Sequence, residues 1–162
     1  MNSNPSKFEN QEVIVKYLEK IKEITDNVNK KLDELNKQIE AELPIKAENL
    51  SGEADRNIGA YQRYLWTLTQ ERRQLASLRG KRDVMDGELQ DYYRFNWDKS
   101  TKLTETAISK YVGAHPCFSS LNNLVKDQEA LVLFLDVTVA NFRDRGFAIK
   151  NMIEMKKIEL GL

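Results

Sequence analysis

Residues 131–153 read LVLFLDVTVANFRDRGFAIKNMI, and this stretch decides the fold. It lies inside a longer segment, about Phe118 to Leu160, whose rows at seven-residue intervals are Val125, Val132, Val139, Gly146, Ile153 and Leu160, flanked by Leu121, Gln128, Leu135, Phe142 and Ile149. Two adjacent apolar columns with a period near 3.5 describe one long helix with a wide buried face. A helix of that length with such a face is expected to self-associate through Val132, Leu135, Val139, Phe142, Gly146, Ile149 and Ile153. Gly146, in the middle of a valine and isoleucine column, either lets another backbone approach closely or marks a break in the helix.

Upstream, helical periodicity continues. From about Phe8 to Leu43 the apolar positions are Ile14, Leu18, Ile21, Val28, Leu32, Leu35 and Ile39, a heptad seam broken only by Thr25. The stripe is narrow and needs a partner along its length. Pro44 ends this helix, because proline lacks an amide hydrogen and disfavours the α region in the residue before it. A second helix is expected from about Ser51, as the capping residue, to Tyr93, weakened locally by Gly80 and Gly87. A short third helix, about Thr101 to Val112, is broken by Gly113-Ala114-His115-Pro116. The chain of 162 residues has only seven glycines and three prolines, a composition that favours long helices over turn-rich sheet. The expected fold is all-α and elongated, with a coiled-coil-like tail and helix in residues 1–50 and a helical binding and oligomerisation region in 51–162.

Composition excludes several functions. The 25 basic residues balance the 25 acidic ones, so any polyanion site must be local. One cysteine, Cys117, and one histidine, His115, leave neither a disulfide framework nor a Cys/His zinc site. No apolar run reaches membrane-spanning length and no secretory signal opens the chain, so a cytoplasmic location is expected. Phosphate-cradling glycine loops and zinc-protease spacings are absent. Adjacent side chains on an extended His115-Pro116-Cys117 segment point apart, which argues against a thiol nucleophile. The reading is of a protein without catalytic residues, cofactor or metal.

Charge is distributed unevenly. Residues 1–50 hold 8 Lys against 10 Asp or Glu, whereas residues 56–102 hold 10 basic residues against 6 acidic ones. Arg72, Arg73, Arg79, Lys81 and Arg82 fall within eleven residues that contain no acid, and no arginine precedes Arg56. Arginine forks suit phosphate. Just downstream, Tyr92, Tyr93, Arg94, Phe95, Trp97 and Lys99 interleave aromatic and basic side chains. Bases stack on aromatic rings for about 1–3 kcal/mol each while cations neutralise phosphates, so the mixture suits single-stranded nucleic acid. Alternatively, the aromatics are core and the arginines pair with carboxylates of another helix.

The stretch Asn141 to Met155, above all Arg145-Gly146-Phe147-Ala148-Ile149-Lys150, resembles the carboxy-terminal signature of UvsY-type recombination mediator proteins of tailed bacteriophages, and the Tyr92-Tyr93 pair falls at about the family's spacing. The similarity covers roughly residues 60–160. It implies a small helical, non-enzymatic protein forming a ring of six or seven subunits, with much of the subunit contact on the carboxy-terminal helix. Its implied partners are single-stranded DNA coated with single-strand-binding protein, and a RecA-like recombinase that it loads, in the host cytoplasm. The family carries a lysine and an arginine just before its tyrosine pair; around Gly87 and Leu89 this chain has neither, so phosphate contacts are expected upstream, on the arginine cluster. A coiled-coil adaptor that zips residues 8–43 to another protein, without DNA, accounts for the heptads better than a mediator does.

Overall fold

The computed structural model describes residues 7–95 and 102–161. Among them are four α-helices and no strand: α1 (Gln11–Glu42), α2 (Leu50–Phe95), α3 (Glu105–Ala114) and α4 (Pro116–Glu159), with a 3-10 turn at Ala47–Asn49 ahead of α2. The fold is all-α, as the periodicities predict.

Side-chain chemistry fixes the helix starts. Asn10 Oδ1 accepts from the Glu12 and Val13 amides at 3.1 and 3.3 Å, capping α1. At α2 the cap is Asn49, whose Oδ1 accepts from the Gly52 amide at 3.0 Å; Ser51, the expected cap, already lies inside the helix. A polar side chain two residues earlier does the same work, and the helix begins about half a turn sooner. Thr104 caps α3 through the Ala107 amide. His115 then closes α3 and opens α4: its amide donates to Val112 O, its Nδ1 accepts from the Cys117 amide at 3.3 Å, and Pro116 takes the first helical position, where no amide hydrogen is needed. Neither Gly80 nor Gly87 interrupts α2, and α4 runs unbroken through Gly146.

The chain forms two compact units, one from the described residues of 1–29 and 74–129, the other from 30–73 and 130–161. Each draws on residues from both sides of position 50, so the units do not follow a division at that point. In the first unit Leu89, Tyr92, Tyr93, Ile108 and Val112 form a core against which Phe8, Met85, Leu103 and Phe118 pack. In the second, Tyr64 and Phe142 are 1% exposed and pack ring on ring at 5.0 Å.

The heptad seam of α1 is filled by the chain itself: Ile21 and Val28 in the first unit, Leu35 and Ile39 in the second, are all buried. In the second unit Lys31 of α1 pairs with Glu71 of α2. Ile14, Leu18 and Leu32 on the same seam are half-buried, so much of the stripe that a coiled-coil partner would need is already covered.

The two apolar columns of α4 also point inward. Leu135, Phe142 and Ile149 are 0–1% exposed and Val132 is 9% exposed, while Val139, Gly146 and Ile153 are half-buried. These positions, expected at a subunit contact, serve the chain's own packing. A Cβ on Gly146 would stand 3.0 Å from Asn57 Nδ2, so the close approach that Gly146 permits is by a side chain of α2 in the same unit.

That approach belongs to a buried polar cluster. Arg145 donates from Nε to Leu43 O at 2.9 Å, from Nη1 to Asn57 Oδ1 at 3.0 Å, from Nη2 to Pro44 O at 3.2 Å, and pairs with Glu53. Asn57 in turn donates to Phe142 O at 3.0 Å. Arg145 and Glu53 are 7% and 1% exposed. The four Arg145 bonds hold α4 to the α1–α2 connection and to the first turns of α2.

Candidate nucleic-acid interface

The arginines selected by sequence lie on α2 with their guanidinium groups at the surface, and carboxylates meet several of them. In the second unit Arg72 donates to Asp136 of α4 at 2.6 Å, and exposed Arg73 has no ion pair among the described residues. In the first unit Arg79 holds Glu129 of α4 through Nε and Nη2 at 3.2 and 2.7 Å, Arg82 pairs with neighbouring Asp83, and exposed Lys81 has no ion pair among the described residues. The side chains of Arg72 and Arg79 remain 57% and 51% exposed, their partners 40% each. Pairs so solvated contribute about 0–1 kcal/mol each. Exchange of the carboxylate for a phosphate oxygen therefore costs the fold little.

The aromatic half of the expected site is placed differently. Tyr92 and Tyr93 are 5% and 8% exposed. Their rings meet edge to face at 5.1 Å; Phe8 lies against Tyr92 at 5.8 Å, and Tyr111 stacks on Tyr93 at 5.5 Å. The Tyr92 hydroxyl donates to Glu9 at 2.6 Å. Burial, with Glu9 adding to it, pushes the Tyr92 hydroxyl pKa well above its usual value, and burial raises Tyr93 likewise. Both faces of the expected stacking platform are therefore occupied within the first unit; the spacing of aromatics that suits bases also suits a core. Arg94 bridges Glu105 at 2.8 Å and lies 6.0 Å from the exposed Phe95 ring. Trp97 and Lys99 lie outside the described residues.

His115 and Cys117 are buried. Burial lowers the histidine's pKa and raises the thiol's, which keeps both neutral; their contact is the helix cap. Among the described residues no group of three His, Cys, Asp or Glu side chains could hold a metal ion, and no helix is long and apolar enough to cross a membrane.

Sequence reasoning missed the outer face of α4. Leu133, Val137, Phe147, Met155 and Ile158 are 53–76% exposed, and at 3.6 residues per turn they fall within about 80° of arc. In the sequence this stripe is interrupted by Asp144 and Asn151 and stands beside the stronger columns that build the core.

The fold defines the class: the described residues form a small all-α protein that presents basic side chains of α2 at its surface. Its particular family follows from comparison: residues 38–162 match the family "Recombination, repair and ssDNA binding protein UvsY", and the chain belongs to that family. Three crystal structures of the bacteriophage T4 recombination mediator protein UvsY share the fold. Lattice type IV has a TM-score of 0.69 at 20% identity, over 79% of this chain and 98% of that one. Lattice type II has 0.70 at 18% identity, over 79% and 96%, and lattice type I has 0.69 at 18%, over 78% and 98%. No curated protein matches the sequence.

Proposed function

We propose that this protein is a recombination mediator: it binds single-stranded DNA, loosens a coat of single-strand-binding protein and helps to load a RecA-like recombinase. The observation that carries the reading is membership, over residues 38–162, in a recombination, repair and single-strand-binding family. Phosphates are held by Arg79, Lys81 and Arg82 in the first unit and by Arg72 and Arg73 in the second, with Arg94 and, beyond the described residues, Lys99 and Trp97 extending the contact. Weak intrachain pairs suit a mediator, whose grip on DNA must be exchangeable. Asp136 and Glu129 compete with phosphate for the same forks, and that competition moderates affinity. Binding and exchange account for this role; no catalytic step is required.

The mediator acts as a homo-oligomer, a ring of six or seven subunits, in which many modest contacts add through avidity. The outer α4 stripe of Leu133, Val137, Phe147, Met155 and Ile158 supplies the apolar contact, since the inner columns are already occupied. Loading is tested on a single strand pre-coated with single-strand-binding protein and offered to a RecA-like recombinase. Addition of this protein should restore the recombinase's DNA-dependent ATP hydrolysis. Unchanged hydrolysis over a full titration would remove the mediator role.

A further inference from the structure

The second unit holds a cleft of about 280 Å³ where the end of α1, the following connection and the first turns of α2 meet α4. Four basic side chains line it, Lys46, Arg56, Arg63 and Arg145, against two acidic ones, Glu42 and Glu53. Arg145 forms the floor, 7% exposed, and is committed to four hydrogen bonds within the unit. Glu53 is held by Arg145 and by Arg56 at 2.6 Å, and Glu42 by Arg63 at 2.5 Å and the Tyr64 hydroxyl at 3.0 Å. Both carboxylates are thus neutralised, and two positive charges remain in excess. They stand at the rim: Arg56 and Arg63 are 58% and 53% exposed, and Lys46 is exposed without an ion pair among the described residues. A concave, low-dielectric wall with a cationic rim focuses potential toward an anion.

An exposed aromatic follows Arg63 on α2, about one helical turn further along. Trp66 is 63% exposed and sits three residues beyond Arg63 on α2, about 4.5 Å along the helix axis. The cleft lies at the small end of ligand pockets, large enough for a sugar-phosphate with the base left outside.

We propose that the cleft and Trp66 form a second single-strand contact, distinct from the Arg72–Arg82 set: a phosphodiester is held by Lys46, Arg56 and Arg63, and the adjoining base stacks on the Trp66 indole. The assignment rests on the single-strand-binding reading above. It supplies the stacking face that Tyr92 and Tyr93, covered within the first unit, do not offer. A free nucleotide presents the same phosphate chemistry, but only a strand uses the cleft together with the arginines further along α2.

The test reads binding by anisotropy on the unaltered full chain, and reads Trp66 fluorescence separately in a Trp97→Phe chain, where Trp66 is the only indole. An oligothymidylate should quench Trp66 fluorescence in parallel with its own anisotropy rise, and at a lower nucleotide concentration than thymidine monophosphate. Lys46→Glu and Trp66→Ala alter exposed, unpaired side chains and so leave the fold intact; each should raise Kd about fivefold to tenfold. Anisotropy rising without quenching, and both variants binding as the parent does, would overturn the site while leaving DNA binding in place. Equal quenching by the monophosphate would make the cleft a mononucleotide pocket and overturn the strand assignment. Absence of any anisotropy rise would remove the site and the single-strand reading together.

Discussion

At Arg145 one side chain ties three segments of the second unit together, and its removal tests how much of the fold rests there. Arg145→Met leaves Glu53 buried with only its partly solvated bridge to Arg56; loss of one partner of a buried pair costs about 3–5 kcal/mol. Urea unfolding should show that loss, whereas Arg143→Met, at an exposed pair with Asp144, should change stability by less than about 1 kcal/mol. His115 gives a pH test. Burial holds its pKa below the usual value of 6.5, so its contribution is fully present above that pH and is lost as pH falls through the depressed value. His115→Asn keeps a capping acceptor and should flatten the fall in stability below pH 6.5; an unchanged profile would assign it to other groups. The residues 145–150 could be read as a family signature, but not for what they do. Arg145 meets Glu53 and Asn57 across some 90 positions, and no local pattern encodes such a pairing. The tyrosine pair is ambiguous in sequence for a related reason: aromatics interleaved with cations look the same whether a base or Phe8 covers them.

Helices are where the sequence is most readable. The α1 seam, the stop at Pro44 and the break before Pro116 follow from periodicity and proline chemistry, and all three are present. The side of α4 proposed above for a subunit contact was hidden in the sequence because the strongest columns pack within the chain, and the weaker stripe stays outside. Val137→Glu with Phe147→Glu should therefore dissociate the proposed oligomer while preserving helical content, as read by light scattering and circular dichroism; an unaltered mass would move the interface elsewhere. Gly146→Leu acts differently. Its side chain runs into Asn57 and strains the Arg145 cluster, so thermal unfolding should shift downward before any change in assembly.

For the molecule as a whole, balanced total charge conceals basic ground on α2 that acidic residues of α4 partly cover. Asp136→Asn with Glu129→Gln releases Arg72 and Arg79, and affinity for a single strand should rise roughly threefold to tenfold; weaker or unchanged binding would mean that these arginines do not face DNA. The most direct test of the account is the anisotropy of a labelled single-stranded oligonucleotide, against its duplex, across a salt titration. With about five phosphates neutralised per subunit, the single strand should bind more tightly, with log Kobs falling against log salt at a slope of about −3 to −4 per subunit. No binding at low salt, or a preference for the duplex, would contradict the account and return the arginines of α2 to a purely intrachain role.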